Sequence, residues 1–119
     1  MKPALLSGLC LFAFMQAASG EEILLRCRIN LPNSDKSFIS NFQISDQRVI
    51  GDGTTITRKV TINPATIEFT VDNFLLNFLT NVKINRDSGA YTEIRADRKT
   101  NAIVNEWHGT CAKAEKPTS

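Results

Sequence analysis

A histidine and a cysteine lie close together near the end of this chain. His108 is the only histidine, and it precedes Cys111 by three residues. A Cys–His nucleophile requires a free thiolate and an imidazole within hydrogen-bonding distance. In a β-strand, side chains three positions apart point to opposite faces, so the local geometry opposes such a pair. We therefore expect His108 to be a surface residue and predict no catalytic pair.

The other candidates for chemistry are aspartates and glycines in short turns. Asp46, Asp52 and Asp87 carry oxygens that suit calcium, but the EF-hand spacing is absent and aspartates are common in turns. One histidine with two cysteines that we expect to be bridged does not form a recognisable zinc site. Gly51-Asp52-Gly53 precedes a predicted strand rather than a helix, so it lacks the amides that bind phosphate. We predict no enzymatic activity, no metal site and no cofactor.

The first part of the chain has the features of a secretory signal peptide. Lys2 provides a positive start, Leu5–Met15 an apolar segment, and Ala17–Gly20 the small residues of a cleavage site. The apolar segment is shorter than the roughly 20 residues that a helix needs to span a bilayer. Cys10 lies too deep in that segment for a lipoprotein signal. We expect residues 1–20 to be removed, leaving a periplasmic or extracellular protein without a stable membrane anchor.

Two cysteines, Cys27 and Cys111, remain after this cleavage. Exported proteins fold in an oxidising compartment, where a pair of cysteines in a small domain is usually bridged. We predict a disulfide between them that joins the first and last strands of the domain. The same bridge would occupy the Cys111 thiol, which further opposes nucleophilic chemistry.

Alternating apolar and polar residues dominate the mature chain. In Ile23–Leu31 every odd position is apolar and most even positions are polar, as in a strand with one buried face. Arg58 interrupts the apolar face of a later segment, which we expect to twist there or to lie at an edge. The predicted strands are 23–31, 38–44, 48–50, 54–62, 67–71, 77–85, 90–97 and 103–111.

This pattern predicts an all-β protein. We expect an antiparallel meander of seven or eight short strands that forms a small barrel or a sandwich. A disulfide between the first and last strands favours closure into a barrel. The organisation predicted is one domain over residues 21–112, followed by a flexible C-terminal tail over residues 113–119.

The most apolar segment of the mature chain has two interpretations. We expect a turn or a short helix near residues 72–76, followed by a strand. The favoured interpretation is that the segment is buried on both faces or plugs the core. The alternative is a partly exposed binding patch, with aromatic residues at its side. The residues of this possible patch are Phe74, Leu75, Phe78 and Leu79, flanked by Trp107 and Tyr91.

Two short motifs near the C-terminus resemble those of a known group of proteins. The segment Ile84–Gly89 has the form I-N-R-x-S-G, and Gly109–Cys111 has the form G-x-C. Together with the early Cys27 and the strand Ile67–Phe69, they resemble small, largely uncharacterised exported β-rich proteins of Gram-negative bacteria. The resemblance covers most of the mature chain and implies a periplasmic β-domain. It implies no activity, because no catalytic residue is known for the group.

The charges of the chain are nearly balanced, with a formal net charge of +2 that includes Lys2. A balance of this kind predicts no general attraction to nucleic acid or to anionic membranes. The leading hypothesis is a non-enzymatic exported β-domain that binds a protein partner. Inhibition of a hydrolase is one form of it, with the turns at 32–36, 51–53 and 87–89 as contacts.

A second hypothesis is a small β-barrel that carries an apolar small molecule. Its cavity would be lined by Ile23, Leu25, Phe69, Phe78 and Val82. A hydrolase that works with two carboxylates is the least favoured function, because no particular pair stands out among the twelve acidic residues. The sequence names no partner and predicts no oligomeric state.

Overall fold

The computed structural model of the chain describes residues 22–114. The predicted signal peptide, and residues 115–119 of the predicted tail, lie outside the described residues. Between residues 22 and 114 the chain forms nine β-strands and no helix. The strands are β1 Ile23–Asn30, β2 Ser37–Ile44, β3 Val49–Gly51, β4 Thr54–Thr57, β5 Val60–Ile62, β6 Thr66–Asn73, β7 Phe78–Asn85, β8 Ala90–Asp97 and β9 Ile103–Lys113.

All nine strands belong to one antiparallel sheet. Its order is β4-β3-β2-β1-β9-β8-β7-β6-β5, so the chain is a meander in which β1 and β9 lie side by side. The predicted all-β antiparallel meander is confirmed. β9 extends through Lys113, one residue beyond the predicted end of the domain, and the Ala114 N–H donates to the Leu24 carbonyl at 2.9 Å.

The two edge strands, β4 and β5, are consecutive parts of one chain segment. β4 pairs with β3, whereas β5 pairs with β6 on the other side of the sheet. Between these pairings, the Thr57 hydroxyl donates to the Thr70 carbonyl, and the Thr70 N–H donates to the Lys59 carbonyl at 3.2 Å. The sheet is therefore nearly closed into a barrel rather than folded into a sandwich. The interruption predicted at Arg58 divides the segment 54–62, which gives nine strands instead of seven or eight.

Side chains at alternate positions fill the barrel. β1 follows the predicted pattern, because its odd positions are buried and Arg26 and Arg28 point to water. The same period of two continues in the strands on either side. The buried core residues are Ile23, Leu25, Cys27, Ile29, Phe42, Ile44, Val49, Ile67, Phe69, Val82, Ile84 and Tyr91.

A disulfide joins β1 to β9, as predicted. Cys27 and Cys111 are directly opposite each other in the register of the two strands, with their Cα atoms 3.9 Å apart. Cys27 is fully buried inside the barrel. Because β1 and β9 are the two ends of the meander, this bridge closes the barrel covalently.

Glycines from both C-terminal motifs lie close to the backbone of a neighbouring strand: Gly89 faces Cys111 of β9, and Gly109 of β9 faces Arg28 of β1. The Cys111 N–H donates to the Gly89 carbonyl at 2.7 Å, and a Cβ at Gly89, whose φ is 81°, would overlap the Cys111 carbonyl oxygen. A Cβ at Gly109 would overlap the carbonyl oxygen of Arg28 in β1. Both positions therefore need glycine so that backbones can approach closely. The G-x-C motif and the hairpin glycine thus have a structural role.

The barrel has two different ends, which we call the mouth and the closed end. The mouth carries the loops 31–36, 52–53, 74–77 and 98–102, and the closed end carries the loops 45–48, 63–65 and 86–89. Near the closed end, Ile44, Val49, Ile67 and Ile84 are almost completely buried. These four side chains belong to the core, and a separate cavity of about 160 Å³ is lined there by Ile23, Leu25, Ile67 and Ile84.

Candidate functional site

The barrel interior is open toward the mouth. A cavity of about 310 Å³ occupies this half of the barrel, between inward-facing side chains of β2, β6, β7 and β8. Its lining includes none of Ile44, Val49, Ile67 and Ile84 of the other half, so the cavity ends inside the barrel. The side chains of its walls and rim include Phe38, Ser40, Ile56, Val71, Asn73, Leu76, Phe78 and Thr80.

The floor of this cavity is a cluster of aromatic and aliphatic side chains. The Phe42 ring lies 5.6 Å from the Phe69 ring and 6.3 Å from the Tyr91 ring, measured between centroids. Ile29 and Val82 complete the floor, and all five side chains are buried. Rings at such distances stabilise one another beyond their burial, so the floor is a rigid apolar surface.

Two polar groups of the cavity are already bonded to each other. The Tyr91 hydroxyl donates a hydrogen bond of 2.5 Å to the Glu93 carboxylate. Burial raises the pKa of the Tyr91 phenol, and the Glu93 carboxylate raises it further. Tyr91 therefore stays protonated at neutral pH and acts as a donor. Among the described residues, Glu93 is the only carboxylate that lines the cavity, so these residues do not supply the carboxylate pair of a glycoside hydrolase.

Arg95 is a cation on the inner face of β8, near the rim of the cavity. Its guanidinium carbon lies 4.7 Å from the centre of the Trp107 ring and 5.5 Å from the centre of the Phe78 ring. Contacts of this kind hold a guanidinium by cation–π attraction. Within residues 22–114, no carboxylate forms an ion pair with Arg95 and no group accepts a hydrogen bond from its side chain. Its N–H donors are therefore available at the mouth.

The rim of the mouth is apolar and exposed. Exposed fractions reach 69% for Phe74, 96% for Leu75 and 62% for Leu76. The expectation that this segment is buried on both faces is wrong, because its turn projects from the barrel end beyond the strands that would cover it. The other large exposed hydrophobic residues of the described chain lie at the same end: Leu31, Phe38, Ile103 and Val104.

The β8–β9 loop, residues 98–102, holds the exposed turn 74–77 in place. The Arg98 side chain forms a 2.8 Å ion pair with Asp72 and lies 4.2 Å above the Phe74 ring. Its backbone N–H donates to the carbonyl of Asn77, which adopts a positive φ of 63°. Because Arg98 contacts the end of β6 and the turn 74–77, this exposed turn is anchored to the β8–β9 loop.

The predicted binding patch is distributed over three environments. Phe74 and Leu75 lie on the exposed rim, whereas Phe78 faces the cavity and Trp107 packs on Arg95. Leu79 is on the opposite face of β7, where it pairs with Asp72 of β6. The patch residues are thus at one end of the barrel without forming one continuous surface.

Sequence reasoning missed Phe38, Glu93 and Arg95 as residues of the mouth. The available indication was the spacing of two between Tyr91, Glu93 and Arg95, which places all three on one face of a strand. That indication was hidden by Ile94 and Ala96, whose apolar side chains occupy the other face.

The other predicted positions have ordinary structural surroundings. The Cys111 sulfur is in the disulfide, and the exposed His108 imidazole lies 2.9 Å from the Glu106 carboxylate. The Asp52 carboxylate accepts a hydrogen bond from the Asn41 N–H at 3.0 Å, which caps a hairpin turn. Among the described residues, no group of three histidine, cysteine or acidic side chains is placed to hold a metal ion. The turns at 32–36 and 51–53 are at the mouth, whereas 87–89 is at the closed end, so they do not form one contact surface.

A larger depression, of about 610 Å³, lies on the outer face of the sheet across β5 to β8. Charged side chains of both signs border it, including Arg58, Lys59, Glu68 and Lys83. Mixed charges are typical of the solvated face of an antiparallel sheet. The mouth, with its apolar floor and free cation, is therefore the stronger candidate for a binding site.

Between residues 22 and 114 there is no helix of the length and hydropathy needed to cross a membrane. No protein-family model matches the chain, and no match was found among curated proteins or solved structures.

Proposed function

We propose that this chain is a non-enzymatic binding protein that holds a small amphipathic molecule in the mouth of its barrel. The observation that supports this function best is the open cavity with an aromatic floor and an apolar rim. Sites for small molecules are concave and mostly apolar, with a few polar groups that orient the ligand. On this basis we rank the small-molecule carrier above the protein-binding domain that the sequence favoured.

The cavity also limits the size of the ligand. Its volume of about 310 Å³ lies at the lower end of the range for small-molecule sites, which is about 300–1,000 Å³. Of the five residues expected to line a carrier cavity, Phe69, Phe78 and Val82 line this one, whereas Ile23 and Leu25 line a separate cavity of about 160 Å³ near the closed end. A chain of about eight carbons therefore suits the site better than a long acyl chain, because the cavity at the mouth does not extend to the closed end.

We place this function in the periplasm or outside the cell. The Cys27–Cys111 bridge supports that location, because disulfides persist in oxidising compartments. The features of residues 1–20 and the resemblance to exported Gram-negative proteins point the same way.

The test is calorimetric titration of the exported protein with three octyl compounds: octanol, octanoate and octylammonium. At least one should bind, and Thr80→Phe, which fills the cavity from β7, should weaken that binding about tenfold or more, equivalent to 1.4 kcal/mol. Lys83→Phe is the matched control, because it places the same ring on the exposed face of the same strand. Equal binding by both variants, or no binding of any octyl compound by the wild-type protein, would contradict the proposal.

A protein partner at the mouth is the second candidate function, with hydrolase inhibition as one form of it. It is favoured by the exposed apolar rim, since soluble monomers rarely expose such groups together. Crosslinking in envelope extracts tests it: a partner captured by the wild-type protein should be lost on replacing Phe74 and Leu75 by serine. Retention of the partner by that variant would count against docking at the rim.

A further inference from the structure

We infer that Arg95 is a receptor for an anionic head group, so that the ligand of the mouth is an apolar molecule bearing a carboxylate or a comparable oxyanion. This inference rests on the proposed function and specifies its ligand. It starts from the position of the charge. Arg95 lies on the face of β8 that fills the barrel, opposite Thr80 of β7.

Arg95 is half-buried beside a mostly apolar cavity, so an ionic partner would offset the hydration that its guanidinium loses. Burial of an unpaired ion is unfavourable because the ion loses its hydration. Two arginines near the mouth differ in this respect. Arg98 has the Asp72 carboxylate at 2.8 Å, whereas among the described residues Arg95 has aromatic rings and no ion-pair partner.

The rings orient Arg95 without occupying its hydrogen-bond donors. Trp107 and Phe78 contact the guanidinium at centroid distances of 4.7 and 5.5 Å. A guanidinium has five N–H donors in a planar fork, and this geometry matches the two oxygens of a carboxylate or phosphate. The fork of Arg95 makes no hydrogen bond to another residue between 22 and 114, so it is free to bind an oxyanion that enters from the mouth.

The other charge of the cavity has a partner within the protein. Glu93 lies one inward position deeper in the barrel than Arg95. Its carboxylate accepts the hydrogen bond from the Tyr91 hydroxyl. A cationic ligand would have to compete with this bond, whereas an anionic ligand meets free donors at Arg95. We therefore assign the head group to Arg95, and the apolar part to the floor that Phe42 and Phe69 form.

The experiment compares the affinities of the octyl compounds for the full exported protein by calorimetry. Octanoate should bind about tenfold or more tightly than octanol, as expected for a charge-assisted hydrogen bond. Octylammonium should bind more weakly than octanol. Arg95→Met, which keeps most of the apolar stem, should bring octanoate to the affinity of octanol. Arg26→Met is the matched control, because Arg26 lies on the outer face of β1, and it should leave both affinities unchanged.

The outcomes distinguish a failure of this inference from a failure of the proposed function. Equal binding of octanoate and octanol by the wild-type protein, with loss of both in Thr80→Phe, would overturn the role of Arg95 and leave the carrier function standing. Tightest binding of octylammonium would assign the head group to Glu93 instead. Absence of binding by all three compounds would overturn both proposals. The comparison of ligands on the wild-type protein remains decisive even if Arg95→Met does not fold.

Discussion

Replacing Cys27 and Cys111 by alanine removes the covalent link across the β1–β9 seam. The seam is short, because only six residue pairs connect the two strands. It is also the contact that brings the two ends of the meander together. Without the bridge, the unfolded chain gains conformational freedom, while the folded barrel keeps its backbone hydrogen bonds. We therefore expect a large loss of stability with little change of fold.

The magnitude follows from the length of the loop that the bridge closes. The two cysteines are separated by 84 positions in the sequence. In the chain-entropy model a loop of this length corresponds to about 4.5 kcal/mol at 25 °C. A domain of this size has a typical net stability of about 5–10 kcal/mol. The double variant should therefore lose about half or more of its stability, or roughly 20–35 °C in Tm.

Urea denaturation followed by far-UV circular dichroism measures this loss, with thermal melts as a second reading. Wild-type protein in a reductant is the control, because it loses the link and keeps both sulfur side chains. A loss below about 1 kcal/mol in both samples would refute the chain-entropy argument. A loss in the variant alone would also refute it, since the cause would then be packing around the fully buried Cys27.

Three further predictions concern the seam and two titratable groups. Gly109→Ala places a methyl group against the Arg28 carbonyl oxygen, so the urea midpoint should fall by the equivalent of about 1–3 kcal/mol; an unchanged midpoint would show that the seam can widen. Hydrogen bonds, of which that from the Thr100 N–H has the largest effect, hold the pKa of Asp97 below its ordinary value of 3.8. The wild type should therefore have a higher Tm than Asp97→Asn near neutral pH, and this difference should vanish as the pH falls below 3.8. Burial raises the pKa of Tyr91, the only tyrosine, so the folded state loses stability above about pH 10, where the unfolded chain releases the phenol proton. Tyrosinate absorbance should therefore appear together with unfolding, and its appearance near pH 10 with an unchanged circular dichroism spectrum would contradict the burial.

Local patterns were sufficient to predict most of the strands. Ile23–Leu31 alternates because one of its faces is buried, and the structure places β1 within that range. The turn at Gly51-Asp52-Gly53 was predicted from its need for positive φ, and Asp52 and Gly53 have φ values of 48° and 90°. Such features involve residues a few positions apart, so they are visible in the sequence.

The candidate site was only partly predictable. Phe74 and Leu75 were identified as possible contacts, but their burial was misjudged, because it depends on whether the strands around the turn extend far enough to cover it. Arg95 was not identified at all. Arg95 lies on the same face of β8 as Tyr91. That face points inward because of how Tyr91 pairs with Ile84 of β7 and with Gly109 of β9, contacts that link three different strands.

The sequence by itself determined most of the strand-forming segments and their turns, and it indicated the Cys27–Cys111 pair. Tertiary structure decided that the sheet nearly closes, that the segment 54–62 bends from one edge to the other, and that the interior opens toward the mouth. The physical reason is that alternation specifies the two faces of a strand but not the register of its neighbours. The pairing of β8 with β7, together with the alternation along β8, places the Arg95 side chain on the inner face beside Thr80.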